Sequence, residues 1–299
     1  MSTGISSILK PEDLSKLARL AFQSRYVVEG NLAGRHRSPL IGLGGEFADH
    51  RDYVPGDDPK FIDWKVLGRT DRYYIRRFEN ETNLRVYLVV DRSASMDYGS
   101  GSLTKYQYAT YLAAALGYVT VKARDSVGLY LYSEKIDAMT GAKNSVGHLN
   151  ELVKTLQKHK PKNKTQTAKT LHQIAESIQR RAMVVIFSDL FDDEETVVSG
   201  LAHFRKNNHD VILFHLLDPM EIDFSFKNGG DFIDMETGEK IVVDPRGVAD
   251  GYREELNKFL TKYRRQCAEM KVDYRLVNTS EPPETFVRAY LNERRQLSK

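Results

Sequence analysis

The chain of 299 residues contains one cysteine and one tryptophan. A lone thiol excludes an intrachain disulfide framework and fits a reducing compartment. Cys267 lies in the helical-looking stretch YRRQCAEM, with no histidine beside it, and reads as a packed helix residue. No window approaches the roughly 18 uncharged apolar residues of a membrane span. The opening MSTGISSILKPEDLSKLARL also lacks an apolar run of signal-peptide length, so the expected location is the cytoplasm. Nor does one sign of charge dominate, with 44 basic residues against 41 acidic and a net charge of +3. That balance does not point to nucleic acid. The most cationic run, Lys154 to Lys169, has no interleaved aromatics to stack on bases, and reads as a solvated helix end and loop.

What is present is an ordinary globular composition, 41% hydrophobic and 28% charged, in a chain long enough to bury a large core. Two regimes follow one another. Leu14, Leu17, Ala18, Ala21 and Phe22 recur at helical spacing behind Pro11, and then periodicity fades between Gly30 and Asp71. From residue 83 onward apolar strands alternate with helices. LRVYLVVD (84–91), SVGLYLYS (126–133), AMVVIFSDL (182–190), HDVILFHLLD (209–218) and VDYRLVN (272–278) read as strands. Helices are predicted over 105–123, 145–159, 167–181, 193–208, 252–270 and 283–296. FSFKNGGDFIDMETGEKIVVD reads as a β-hairpin excursion turning at Thr237-Gly238. Near-continuous apolar strands between helices predict an α/β fold, a mainly parallel sheet covered on both faces. The expected organisation is an N-terminal extension over 1–82, packed on a main domain over 83–299 that carries a hairpin insertion near 222–243.

Open α/β sheets bind ligands beyond the carboxyl ends of their strands. LVVDRSASM lies at such an end, and so does Asp189 in VIFSDL. The nucleophile elbow Gly-x-Ser-x-Gly is missing around Ser93 and Ser95. A Gly-Lys-Ser/Thr phosphate loop and a Gly-x-Gly-x-x-Gly turn after the first strand are missing too. An aspartyl-phosphate phosphatase would carry a second carboxylate at position 93, which is a serine. A hard-cation site fits better, because Mg²⁺ takes oxygen ligands and few carboxylates. The hydroxyls of Ser93 and Ser95 with the carboxylates of Asp91 and Asp189 supply that mixture. A capped strand-to-helix turn is the competing reading. The histidines show no paired metal-ligand spacing, and His148, His172, His203, His209 and His215 read as helix-face or strand residues.

Asp-x-Ser-x-Ser at the end of the first buried strand resembles the metal-ion-dependent adhesion site of von Willebrand factor A-like domains. The resemblance implies that Asp91, Ser93, Ser95, Thr165 and Asp189 hold the ion, Mg²⁺ or else Mn²⁺ or Ca²⁺. Asn163 and Lys164 stand where small residues usually precede the threonine, which makes Thr167 the neighbouring choice. Upstream, GEFADHRDYVPGDDPKFIDW (45–64) narrows the likeness. It resembles the von Willebrand factor A-like family of unknown function (domain of unknown function fifty-eight) found beside MoxR-type AAA+ ATPases in bacteria. The signature comprises Gly45, Glu46, Phe47, Arg51, Tyr53, Pro55, Gly56, Asp57, Asp58, Asp63 and Trp64. It reads either as an ion-pair and turn network in which Trp64 is a packing anchor, or as a partner-docking surface.

The resemblance implies a non-enzymatic adaptor that works with a MoxR-type AAA+ ATPase on an unknown client protein, in chaperoning or complex maturation. Two rivals stand beside it. One is a metal-dependent hydrolase using the same strand-end site; it needs a general base that the sequence does not clearly nominate, Asp192 and Asp193 being the only local candidates. The other is a structural domain whose site stays empty.

Overall fold

The structure is a computed structural model, and it describes residues 4–17, 46–79, 84–162, 167–226, 230–233, 235 and 240–297. The chain divides into two compact units, one of residues 1–30 with 84–299 and the other of 31–83. The N-terminal segment therefore groups with the larger unit rather than with the residues that follow it. Its contacts are specific. Ile5 N donates to Asn150 Oδ1 at 2.9 Å, Gln157 Nε2 donates to Ser7 Oγ at 2.9 Å, and Leu9 and Leu17 are buried. Helix α1 covers residues 11–17. Ala18, Ala21 and Phe22, expected on the same helix, lie outside the described residues.

In the smaller unit, β1 (Glu46–Asp52) pairs antiparallel with β2 (Tyr74–Glu79), and helix α2 (Trp64–Thr70) lies between them in sequence. The sequence patterns predict no regular elements here, because Gly, Pro and Asp interrupt both periodicities. Among the described residues its core holds Phe61, Ile62 and Ile75, packed against Tyr53.

The larger unit is built on β3 (Arg85–Asp91), β4 (Ser126–Tyr132), β5 (Ile136–Lys143), β6 (Met183–Ser188), β7 (Asp210–Leu217) and β10 (Asp273–Asn278). Their order is β10-β7-β6-β3-β4-β5, parallel throughout except for the antiparallel edge pair β4–β5. The mainly parallel α/β sheet expected from the sequence is present. Strand β6 is buried along its whole length, the pattern of a strand covered on both faces. Helices α5 (Thr167–Ser177), α6 (Glu194–Lys206) and α8 (Pro245–Glu269) cover one face through Leu171, Ile174, Leu201, Phe204, Tyr263 and Cys267. Helix α3 (Lys105–Lys122), packed with α4 (Val146–Lys158) and α9 (Pro283–Leu297), covers the other. A capping box of Thr104 and Gln107 starts α3, and Ser145 caps α4.

Three features differ from the sequence expectation. β5 forms where none is predicted, α8 begins at Pro245 instead of 252, and a short helix α7 (Pro219–Asp223) follows β7. The excursion beyond α7 does form an antiparallel hairpin, β8 (Gly230–Ile233) with β9 (Lys240–Val243), while its turn at Thr237-Gly238 lies outside the described residues. Cys267 is buried on α8, and burial pushes its thiol up to about 12. It is an inert packed thiol at neutral pH. Among the described residues, no helix is long and apolar enough to cross a membrane.

Candidate metal centre

The chain runs from β3 outward to β4 and β5, then returns to the other side of β3 for β6, β7 and β10. The carboxyl ends of β3 and β6 therefore flank the topological switch point, where open α/β sheets form their crevice. Asp91 ends β3, Asp189 follows β6, and both are fully buried or nearly so. Beyond Asp91 the chain enters a short 3₁₀ turn, Ala94–Asp97, with Ser93 buried at its start.

Hydrogen bonds fix Asp91 at both oxygens. Ser93 N donates to Oδ1 at 2.9 Å, and Ser188 Oγ donates to Oδ2 at 2.7 Å. Burial, together with the charge of Asp189, pushes the Asp91 carboxyl up to about 7 against the pull of those two donors. Ser93 Oγ and Ser95 Oγ stand 3.0 Å apart. Neighbouring ligands of an octahedral ion at 2.0–2.1 Å are separated by about 2.9 Å, so the hydroxyl pair has the spacing of two adjacent ligands. The Tyr132 phenol borders the same carboxyl: burial and the Asp91 charge push it well above its ordinary value, so it stays protonated. Two carboxyl groups and two neutral hydroxyls are a donor set suited to a hard cation.

The structure thus brings Asp91, Ser93, Ser95 and Asp189 to one strand-end cup. Thr165 lies outside the described residues; Thr167 opens α5, and its side chain is not described. Among the described residues there is no cluster of three or more His, Cys, Asp or Glu side chains set to hold a metal, so a cation here would need the serine hydroxyls beside the two carboxyl groups.

Four neighbours escape a reading of the sequence. Ser188 anchors Asp91 and also accepts from Leu190 N at 3.0 Å. Leu190 has φ 56°, a left-handed conformation rare for a bulky residue, which turns the chain sharply after Asp189. His215 on β7 is buried and hydrogen-bonded to the Asp189 carbonyl at 2.9 Å. Lys105, at the start of α3, donates to Asp189 Oδ2 at 2.8 Å and to Glu221 Oε1 at 2.6 Å. Glu221 belongs to α7, where Oε2 accepts from Asp218 N at 2.8 Å in a capping box. The Asp-Pro-x-Glu spacing is a sequence signal for that cap. Asp193 caps α6 by accepting from Thr196 N at 3.0 Å, and so serves the helix start.

In the smaller unit the signature acids cap and brace. Arg51 Nη2 donates to Asp57 Oδ1 at 2.8 Å, and Asp57 Oδ2 accepts from Val54 N at 2.9 Å. That closes a turn in which Gly56 has φ 108°, open only to glycine at low cost. Asp58 caps the 3₁₀ turn at Pro59–Phe61, and Asp63 caps α2 while bonding His50 Nε2 at 2.9 Å. Pro55 belongs to the same turn, and Glu46 and Phe47 start β1. Gly45 lies outside the described residues. Trp64 corrects the packing-anchor expectation: at the first position of α2, beyond the Asp63 cap, the residue is 60% exposed and stands outside the Phe61–Ile62–Ile75 cluster.

Comparison with known proteins agrees with the family resemblance. An uncharacterised protein of Mycobacterium tuberculosis, Rv1480, is 26% identical over 244 residues, 79% of this chain and 75% of its own. The solved BatB protein from Bacteroides thetaiotaomicron is similar at TM-score 0.47 and 15% identity, covering 70% of this chain and 96% of that one. The SpRpn10 VWA domain is similar at TM-score 0.41 and 11% identity, covering 70% and 95%. The family described as "Protein of unknown function DUF58" matches residues 49–266, and the chain belongs to that family.

Proposed function

We propose that this protein is a divalent-cation-dependent protein-interaction module, whose ion sits among Asp91, Ser93, Ser95 and Asp189 with a threonine, Thr165 or Thr167, completing the set. The observation that carries the reading is the Ser93–Ser95 hydroxyl pair, 3.0 Å apart beside the buried Asp91 carboxylate. Bound Mg²⁺ or Mn²⁺ would supply an electrophilic centre for a carboxylate offered by a partner. The chain's own residues set how strong that centre is: two of the donors are neutral hydroxyls, and Asp91 is already engaged by Ser93 N and Ser188 Oγ. The sequence resemblance supplies the partner class, a MoxR-type AAA+ ATPase acting with this chain as adaptor toward a client protein. Of the two general-base candidates of the hydrolase reading, Asp193 would have to leave its helix cap, and Asp192 Oδ1 accepts from Asp193 N at 2.8 Å beside that same helix start.

Calorimetric titration of chelator-treated full-length protein with Mg²⁺ and Mn²⁺ tests the ion. Saturable heat that disappears in Asp91→Ala is expected, and its absence from the native protein would sink the proposal. Affinity capture of a MoxR-type AAA+ ATPase from the same organism tests the adaptor role. Equal recovery by native protein and Asp91→Ala would remove the cup from the docking contact.

A further inference from the structure

Helix N-termini favour negative charge, because the backbone dipole and free N–H groups point outward there. Lys105 nevertheless occupies the first position of α3, and its side chain is completely buried. The ammonium donates to Asp189 Oδ2 at 2.8 Å and Glu221 Oε1 at 2.6 Å. It also lies 4.9 Å from the ring centre of Phe191 and 5.9 Å from that of Tyr98. The cup therefore holds a buried ammonium hydrogen-bonded to one of its own metal-ligand candidates and to a second carboxylate beside it. A local rule broken at a buried position is a mark of function.

We propose that Lys105 is a tethered cation that competes with the divalent ion for Asp189, so that the ion is held weakly and exchanges readily. The inference rests on the divalent-ion reading of the cup. An ammonium and a divalent ion sharing one carboxylate repel each other, and the repulsion grows where water is excluded. Glu221 gives the ammonium a second acceptor, so Lys105 can remain bonded while Asp189 turns to the ion. Glu221 is held in place for that role by its own bond from Asp218 N at 2.8 Å. The net charge of the cup is not the deciding quantity. Asp91, Asp189 and Glu221 against Lys105 leave the same balance as Asp91 and Asp189 alone, but only the first arrangement occupies Asp189 Oδ2.

The experiment is Mn²⁺ binding to chelator-treated full-length protein, followed by calorimetry and by the electron paramagnetic resonance of free Mn²⁺. The double variant Lys105→Met/Glu221→Gln removes the ammonium and one carboxylate together. It preserves the balance of charge and leaves fewer buried charges unpaired than Lys105→Met alone. Roughly tenfold tighter binding or more is expected, from loss of one close like-charge repulsion. Unchanged or weaker binding by this variant, with binding by native protein, overturns the inference and leaves the divalent-ion reading standing. Binding by the double variant but not by native protein supports the inference and refutes the reading of the native cup. No uptake by either overturns both. Glu221→Gln alone, which keeps the ammonium on Asp189, is expected to weaken Mn²⁺ binding several-fold, and tighter binding there would also overturn the inference.

Discussion

His215 Nε2 donates to the Asp189 backbone carbonyl at 2.9 Å while Nδ1 accepts from the Tyr274 hydroxyl at 2.8 Å. A carbonyl can only accept, so the tautomer is set by the strand end that the imidazole supports. Burial pushes His215 down to about 4, whereas burial and the Asp189 charge push Asp91 up to about 7. The two groups oppose each other in pH dependence. An unfolded chain protonates His215 near about 6.5, so its contribution to stability is complete above that pH and is lost on descent toward 4. Asp91 keeps a proton in the fold that an unfolded chain releases near about 3.9, so its contribution is lost as pH rises from there to about 7. Each slope is at most about 1.4 kcal/mol per pH unit. Asp91→Asn removes only the falling one. Urea unfolding in chelator is therefore expected to show stability rising more steeply with pH between about 4.5 and 6.5 in this variant than in native protein. Parallel curves would mean that Asp91 is not held protonated in the fold.

Ser188→Ala is expected to cost about 2 kcal/mol or more in urea unfolding. It strips the donor from Asp91 Oδ2 and the acceptor from Leu190 N in one step. Leu190 already holds a left-handed backbone, φ 56°, so the N–H has little freedom to find another partner. A loss under about 0.5 kcal/mol would show that both groups are readily re-satisfied.

Those neighbours explain why the cup was only half legible. Asp91, Ser93 and Ser95 stand within one short string after an unbroken apolar strand, and Asp189 ends another, so pattern and spacing expose them. Ser188, His215, Lys105 and Glu221 come from different elements and meet only through the sheet order. Lys105 left one trace, a lysine just inside a helix start with Thr104 as cap, where the dipole disfavours it. For the fold, β3, β4, β6 and β7 are apolar runs and were plain to see. β5 was not: its residues alternate between half-buried and exposed, and it pairs on one side only. In the smaller unit the acids that cap Pro59–Phe61 and α2 are the same residues that read as turn formers, which hid the short elements between them.

Trp64 is the single tryptophan, so intrinsic fluorescence reports on it alone. At 60% exposure, its emission is expected near that of free indole, with quenching by acrylamide close to that of the unfolded chain. Trp64→Ala should shift stability by less than about 0.5 kcal/mol, as for exposed sites generally. Reduced capture of the ATPase by the same variant would assign the residue to docking. A blue-shifted, poorly quenched emission would show the indole to be covered.

Arg92, between Asp91 and Ser93, reaches Asp137 on β5, with Nη1 3.0 Å from Oδ2 and each side chain only 10% exposed. Its Nε donates to the Lys160 carbonyl at 3.2 Å, and its own carbonyl accepts from Lys162 N at 2.9 Å. The first variable position of the Asp-x-Ser-x-Ser string therefore ties the cup to the sheet edge and to the segment that precedes Thr165. Removing one partner of a buried pair leaves the other charge uncompensated, so Arg92→Met is expected to cost about 3 kcal/mol in urea unfolding. Ser133 Oγ, which donates to Asp137 Oδ2 at 2.7 Å, keeps the loss toward the lower end. Adding Asp137→Leu should recover most of it, because the stranded charge is then gone and an apolar group fills the space. If the double variant is no more stable than Arg92→Met, the cost lies in the lost carbonyl contact to Lys160, and Arg92 acts as a loop anchor rather than as half of an ion pair.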